Sequence, residues 1–170
     1  TGIHSILENC NLNMYGKKLY YSNIDKYLIY DDALKNPDSL FSTNWMLTLK
    51  YLNKIKNVDL IVDIGSTTTD IIYKHMSITE NIDDHKRLVN NSLLYAGVIR
   101  TPLPMIVNNV NFLSNEVPLI NEVFSTTGDI FNITNDIDFN QLDYIGADNL
   151  NYTKKNSFVR IARSLGLDYD

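Results

Sequence analysis

The residue pattern best suited to chemistry lies in the middle of the chain, at residues 63–70, with the sequence DIGSTTTD. A tight turn at a glycine exposes backbone N–H groups, and a row of hydroxyl side chains adds further donors without any negative charge. A phosphate or diphosphate group needs this combination. The predicted anion-binding residues are Gly65, Ser66, Thr67, Thr68 and Thr69.

The surrounding sequence predicts a β-hairpin with this loop at its tip. Residues 58–64 are mostly apolar and β-branched, which is typical of a short buried strand, and the strand pattern resumes at residues 69–73. The loop is therefore unlike a P-loop, in which a helix follows the glycines and a Gly-Lys-Ser/Thr sequence is present.

Two acidic residues bracket the loop and are candidate catalytic residues. Asp63 ends the first strand, where its carboxylate would hold Mg²⁺ against phosphate oxygens, because Mg²⁺ prefers one or two carboxylates together with phosphate and water. Asp70 stands seven residues later, on the second strand. The structural alternative is a simple turn capped by hydroxyl groups, which short Ser/Thr segments often form.

The loop resembles the second phosphate loop of the hydantoinase A/oxoprolinase-like family within the actin-like ATPase superfamily. Residues 94–102, LYAGVIRTP, resemble the YTGVLRTP stretch of family members linked to tetrahydromethanopterin-dependent one-carbon transfer. Asn44-Trp45 and residues 122–129 fit the same group, and the resemblance covers most of residues 40–168. Ala96 replaces the usual Thr and Gly128 the usual Ala, both outside the loop.

The resemblance implies a ribonuclease H-like, actin-like ATPase fold of the α/β class, with a mixed α+β sheet. It implies a transferase of methanofuran-type cofactor biosynthesis that joins an aminomethylfuran-methyl diphosphate to the phenol oxygen of γ-glutamyltyramine and releases diphosphate. The loop would then hold the leaving diphosphate, and Asp63 would bind Mg²⁺. Arg100 would contact a substrate phosphate or carboxylate as the third candidate catalytic residue.

The superfamily's first phosphate loop and its C-terminal glycine-rich segment have no counterpart in this sequence. We therefore expect an internal fragment with an incomplete fold, which can fold and yet be inactive because part of the cleft between the lobes is missing. Residues 1–56 would belong to the first lobe and its connecting helix, and residues 57–170 to the second lobe, which carries the phosphate loop.

The loop alone leaves two other functions open. One is an ATP-dependent kinase or a hydantoinase/oxoprolinase-like hydrolase, in which ATP would be the bound nucleotide. The other is a non-catalytic module that binds phosphate or a nucleotide. Release of ADP would favour the former, and tight binding without turnover the latter.

Hydrophobic spacing predicts the elements that position these residues. Phe41, Trp45, Leu49, Leu52 and Ile55 trace one face of a long helix from Pro37 to about Lys56, with Trp45 in the core. In the final helix, Gly166 is placed as a C-terminal stop, and Arg160 and Arg163 are expected on the solvated face. Further segments are predicted as follows: a helix at 3–10, short strands within 19–30, and helices at 86–95 and 124–133.

Composition limits the range of partners. The chain has 170 residues, of which 44% are hydrophobic, enough for a domain-sized core, and its net charge of −5 argues against nucleic acid or an anionic membrane. Its apolar runs are much shorter than the roughly 20 residues of a membrane helix.

A single cysteine, Cys10, excludes an intrachain disulfide, and without a signal sequence we expect a cytoplasmic protein. Small-molecule substrates are the expected partners, with homo-oligomerisation left open.

Other polar groups favour structural roles. His4, His75 and His85 have no metal-ligand spacing. Asp83-Asp84 beside His85 is typical of a solvated turn, with a contribution to a metal site as the less favoured alternative. Residues 136–147 begin like a calcium loop but lack its glycine and its final glutamate, so we reject an EF-hand.

Overall fold

A computed structural model describes residues 2–168 of the chain, which form a mixed α/β structure with small sheets. The helices are α1 (Gly2–Asn13), α2 (Tyr30–Lys35), α3 (Asn44–Leu52), α4 (Asp84–Val89), α5 (Thr127–Thr134) and α6 (Lys154–Ser164). The strands are β1 (Tyr20–Tyr21), β2 (Tyr27–Leu28), β3 (Leu60–Ile64), β4 (Thr69–Tyr73), β5 (Leu93–Leu94), β6 (Asn109–Phe112) and β7 (Asn115–Pro118). The three sheets have the orders β1-β2, β3-β4-β5 and β6-β7. No helix among the described residues is long and apolar enough to cross a membrane.

The chain divides into two compact units. Unit 1 comprises Thr1–Asp63 and Asp70–Leu93, and unit 2 comprises Ile64–Thr69 and Leu94–Asp170. The chain thus enters unit 2 for the predicted phosphate loop, returns to unit 1, and enters unit 2 again within β5, at Leu94. These division points differ from the predicted boundary at residues 56–57, and the assignment of the two parts to lobes of an actin-like fold stays a prediction.

The core of unit 1 forms around α3. Trp45, Leu49 and Leu52 lie on one face of this helix and are almost fully buried, as the apolar spacing predicted. They pack with Ile72 of β4 and with Met76. The core therefore fixes β4, the strand that follows the loop, and the short strands predicted within residues 19–30 are present as β1 and β2.

The long helix predicted from Pro37 to Lys56 is wrong, because the chain breaks between two shorter elements. Pro37–Leu40 is a 3₁₀ turn, and α3 begins only at Asn44. Phe41 is extended, with φ −70° and ψ 142°, and Ser42 adopts a left-handed φ of 50°. Both conformations are incompatible with a continuous α-helix. The apolar spacing continued through Phe41, but that side chain is 53% exposed.

The prediction that residues 58–64 form a buried strand is also wrong. The strand exists as β3, but it lies at the edge of its sheet. Leu60 and Val62 are each about half exposed, whereas Ile61 between them packs against the core of unit 1. Only one face of β3 is therefore covered within the described residues. An apolar run cannot reveal this, since it records hydrophobicity but not what packs on each face.

Unit 2 contains the antiparallel β6-β7 hairpin and the helices α5 and α6. Two isolated antiparallel bridges, Pro102 with Thr126 and Ile145 with Asn151, lie before these helices. The core of unit 2 contains Ile99, Phe139 and Tyr152, with the last two rings stacked at a centroid distance of 4.1 Å. Helix α5 spans Thr127–Thr134, a little shorter than predicted. Gly166 has a φ of 74° directly after α6, which confirms its prediction as the helix stop.

Candidate functional site

The predicted anion-binding residues form a compact loop in unit 2. The Gly65 N–H donates to the Thr68 carbonyl oxygen at 2.8 Å, which closes the turn. The N–H groups of Ser66, Thr67 and Thr68 donate to no group within the described residues. The loop is half-buried, and the hydroxyls of Ser66 and Thr67 lie 3.5 Å apart. Three successive free donors with neighbouring hydroxyls are suited to an anion.

A second segment of unit 2, residues 96–101, supports the loop from behind. The Val98 N–H donates to the Gly65 carbonyl at 3.0 Å. The N–H groups of Ile99 and Arg100 both donate to the Ser66 carbonyl, at 3.1 and 2.9 Å. The Gly65 and Ser66 carbonyls thus accept from protein donors, which leaves the opposite side of these two peptide groups, with the Ser66 and Thr67 N–H groups, available for a ligand.

Thr69 contributes to this support and not to the row of free hydroxyls. Its hydroxyl donates to the Ala96 carbonyl oxygen at 2.6 Å, and its side chain is buried. A hydroxyl has one hydrogen to donate, so in this conformation Thr69 has none for a phosphate. The donors left for an anion belong to the three preceding residues.

Gly97 allows the supporting segment to approach the loop closely. A Cβ atom at this position would lie 2.6 Å from the Gly65 carbonyl oxygen and from the backbone of Ser66 and Thr67. Because these are backbone atoms, no side-chain rotation could relieve such a contact. The position therefore requires a glycine if the loop is to keep its place.

Two threonine hydroxyls fix the backbone of Gly97 in turn. Thr101 Oγ1 accepts from the Gly97 N–H at 2.7 Å, and Thr127 Oγ1 donates to its carbonyl oxygen at 2.8 Å. Thr127 is the first residue of α5, whose start is defined by a capping box in which the Asp129 carboxylate accepts from the Thr126 N–H at 2.9 Å. The beginning of α5 is thereby tied to the loop through one intervening segment.

A buried ion-pair network holds the start of α5. Arg160 of α6 is completely buried and donates to Asp129 Oδ1 at 2.7 Å and to Asp148 Oδ1 at 2.8 Å. Its guanidinium lies 4.9 Å from the centroid of the Tyr152 ring. The prediction that Arg160 is solvated is therefore wrong. Helix α6 turns Ser157, Arg160 and Ser164 inward, while Phe158 is 56% exposed.

Burial also changes the protonation behaviour of this network. Desolvation raises the pKa of the Asp129 carboxyl, although the hydrogen bonds from the Thr126 N–H and from Arg160 act in the opposite direction. Burial likewise raises the pKa of the Tyr152 hydroxyl. Tyr152 therefore stays neutral near pH 7, in keeping with its hydroxyl lying 3.1 Å from Thr126 Oγ1.

The three candidate catalytic residues have different environments. Asp63 is exposed. It lies in β3 and is the last residue of unit 1 before the chain enters unit 2. Asp70 is buried in unit 1 and is ion-paired with Arg87, which is itself buried and lies over the Trp45 ring. Arg100 is exposed in unit 2 and lies over the Tyr144 ring. Of the three, Arg100 contacts the predicted loop through its backbone N–H, which donates to the Ser66 carbonyl oxygen at 2.9 Å.

Other polar groups lie outside the loop and its support. Among residues 2–168 no group of three or more His, Cys, Asp or Glu side chains could hold a metal ion by itself. Asp83 caps α4, since its carboxylate accepts from the Lys86 N–H at 2.8 Å. Cys10 is only partly buried in α1.

Sequence reasoning missed the residues that support the loop. Gly97 and Thr101 lie in the stretch that carries the family resemblance, where the sequence predicts a role only for Arg100. Thr126 and Asp129 have the three-residue spacing of a capping box, which could have located the start of α5. The contact between Thr127 and Gly97 leaves no signal in a single sequence.

No known protein-family profile matches the chain. Two curated relatives do, and both are named (4-{4-[2-(gamma-L-glutamylamino)ethyl]phenoxymethyl}furan-2-yl)methanamine synthase. The relative from Methanocaldococcus jannaschii is 38% identical over 113 residues, which cover 65% of this chain and 34% of that protein. The relative from Methanococcus vannielii is 38% identical over 119 residues, which cover 66% of this chain and 53% of that protein. The matched part thus spans about a third to a half of these relatives.

Proposed function

We propose that this chain acts in furan-cofactor biosynthesis as a transferase that condenses an aminomethylfuran-methyl diphosphate with the phenol of γ-glutamyltyramine. The relatives' name describes a product in which a phenoxymethyl ether joins these two parts, and two thirds of this chain resembles them. From the motifs at residues 63–70 and 94–102 alone, we also propose membership of the hydantoinase/oxoprolinase-like group and an actin-like, ribonuclease H-like fold. A cytoplasmic location remains part of this proposal.

The observation that carries the proposal is the set of free N–H groups at Ser66, Thr67 and Thr68. They follow one another in a half-buried turn whose Gly65 and Ser66 carbonyls accept from the N–H groups of residues 98–100. A diphosphate has several oxygens that accept hydrogen bonds, and such a turn supplies donors without any reorganisation during the reaction. We therefore assign the loop to the diphosphate of the substrate.

In the proposed reaction, the bond between the furan-bearing methylene carbon and the diphosphate oxygen breaks, and diphosphate keeps the electron pair. The phenol oxygen forms the new bond to that carbon and gives its proton to solvent. The furan ring stabilises positive charge at the methylene carbon, so the protein's main task is to stabilise the departing anion. The loop N–H groups and the hydroxyls of Ser66 and Thr67 donate to oxygens that become more negative as the bond breaks.

Asp63 fits the role of a magnesium ligand in this scheme. Its carboxylate is exposed and forms no ion pair within the described residues. Mg²⁺ commonly uses one or two protein carboxylates and takes its other ligands from phosphate and water, so a larger acidic cluster is unnecessary. When bound, the ion would neutralise charge on the leaving diphosphate.

Replacing Asp63 by Asn should weaken diphosphate binding in the presence of Mg²⁺ but should leave the weaker metal-free binding unchanged. The reason is that the amide removes the charge that attracts the cation. Calorimetric titrations with and without Mg²⁺ measure this difference, with Asp59→Asn as the control, because Asp59 is also exposed but precedes β3. Equal affinity of Asp63→Asn and the unsubstituted chain in Mg²⁺ would exclude the role.

Arg100 and Asp70 complete the predicted set of catalytic residues. The backbone of Arg100 contacts the loop directly, and its guanidinium is available for a phosphate or carboxylate of the substrate. A catalytic role for Asp70 would require its release from the buried pair with Arg87. A role in fixing β4 requires no such change.

Incubating the protein from the complete reading frame around this chain with Mg²⁺, the furan diphosphate and γ-glutamyltyramine tests the proposal, with the ether and free diphosphate measured by mass spectrometry. We expect both products in equal amounts. ADP release from ATP with a small-molecule substrate would instead indicate the kinase or hydrolase function. Binding of phosphate or nucleotide without turnover would indicate a non-catalytic module. Either result would contradict the transferase.

A further inference from the structure

The four arginines of the chain differ in what their guanidinium groups contact. Arg87 and Arg160 are buried and paired with carboxylates, and both are therefore committed to the fold. Arg100 is exposed and forms no ion pair or side-chain hydrogen bond within the described residues. Its backbone N–H, however, is fixed at 2.9 Å from the Ser66 carbonyl oxygen. Arg100 is thus a free cation whose main chain is anchored on the loop.

A free arginine side chain is a poor anion ligand unless its orientation is restricted. The side chain has about 2 kcal/mol of rotamer entropy to lose when it is immobilised. The contact that restricts Arg100 here is with Tyr144, since the guanidinium carbon lies 5.6 Å from the centroid of that ring. This separation is within the range of a favourable cation–π interaction.

Tyr144 is itself held firmly. Its side chain is half-buried and packs against the cluster of Ile99, Phe139 and Tyr152. The turn that follows is closed by the Gly146 N–H, which donates to the Leu150 carbonyl at 2.8 Å. Asp148 in the same turn pairs with the buried Arg160 at 2.8 Å. The ring is therefore a preorganised surface.

Gly146 allows this turn to lie directly on the Arg160 side chain. A Cβ atom at Gly146 would be 2.4 Å from Arg160 Cζ. The position of the turn that follows Tyr144 is thus set by the same buried guanidinium that holds the start of α5. The loop support and the turn after Tyr144 are consequently connected through Arg160 within unit 2.

We propose that Tyr144 is a positioning residue, which holds the Arg100 guanidinium in place to bind the diphosphate carried by the loop. The inference rests on the proposed function, because it assumes that the loop binds diphosphate. The ring, and not the hydroxyl, performs this role, since the Tyr144 hydroxyl forms no hydrogen bond within the described residues. A phenylalanine should therefore substitute for it, whereas an aliphatic residue should not.

A double-mutant cycle on diphosphate affinity tests this role. The probe is inorganic diphosphate with Mg²⁺, titrated calorimetrically into the 170-residue chain. We expect Tyr144→Leu to weaken binding about two- to fivefold, the range of an exposed cation–π contact, and Tyr144→Phe to leave it unchanged. In an Arg100→Ala background, Tyr144→Leu should have no further effect. Tyr51→Leu is the matched control, because Tyr51 is 65% exposed on α3.

The outcomes separate this inference from the function on which it rests. Equal losses from Tyr144→Leu with and without Arg100 would show a general structural effect and overturn the inference alone. Unchanged affinity in Tyr144→Leu would do the same. Unchanged affinity in Arg100→Ala would remove Arg100 from the site and overturn the inference with it. Absence of diphosphate binding by the unsubstituted chain would overturn both proposals.

Discussion

Replacing Gly97 by Ala is expected to weaken diphosphate binding by about fivefold to a hundredfold. The added methyl group would meet the backbone of residues 65–67 at 2.6 Å, and overpacking of this kind costs about 1–3 kcal/mol. The strain can be relieved only by moving the loop or the supporting segment, which would displace the N–H groups from the anion. The expected affinity loss corresponds to this strain energy when most of it is subtracted from the free energy of diphosphate binding. Calorimetric titration with diphosphate and Mg²⁺ measures it.

Gly2→Ala provides the matched control for this substitution. Nothing lies within 4 Å of a Cβ at Gly2, so this variant should bind diphosphate like the unsubstituted chain. Circular dichroism on both variants distinguishes a displaced loop from an unfolded protein. A folded Gly97→Ala variant with unchanged affinity would mean that the position of the loop does not determine binding.

Replacing Arg160 by Met should destabilise unit 2 by about 3–5 kcal/mol. The substitution keeps much of the side-chain volume but leaves Asp129 fully buried without its cation and deprives Asp148 of the same partner. For a chain of this size the thermal midpoint should fall by roughly 10 °C. The measurement is thermal unfolding followed by circular dichroism.

Arg163→Met is the control for Arg160→Met. It removes a positive charge from α6 without breaking a buried ion pair. Arg163 lies three residues further along the helix and is exposed, so its replacement should change the midpoint little. Adding Asp129→Asn and Asp148→Asn to Arg160→Met should recover part of the lost stability, because the uncompensated charges are removed. If Arg160→Met and Arg163→Met had equal midpoints, the network would have no stabilising role.

The hairpin and its loop were predictable because their signals are local. A β-branched run, a glycine and a second β-branched run fix two strands and a turn within about 16 residues. The same is true of the stop at Gly166, where the helix ends in a left-handed conformation. The Trp45 face of α3 was also predictable, but not the break at Ser42, which interrupts an unbroken apolar spacing.

The support of the loop could not be predicted, since it depends on contacts between distant parts of the chain. Thr127 contacts Gly97 across 30 residues, and Arg160 contacts Asp129 across 31. The rule that arginines on an amphipathic helix face water also failed for Arg160. Two carboxylates, a serine and a tyrosine ring compensate its burial, and none of these partners can be identified from the sequence of α6 alone.

The most direct test of the loop assignment is an NMR titration of the ¹⁵N-labelled chain with diphosphate and Mg²⁺. We expect the largest saturable amide shifts at Ser66, Thr67 and Thr68, whose N–H groups are free, and a smaller shift at Gly65, whose N–H is bonded to the Thr68 carbonyl. Saturable shifts confined to other parts of the chain, or no shifts at millimolar diphosphate, would contradict the assignment of this loop to the substrate's diphosphate.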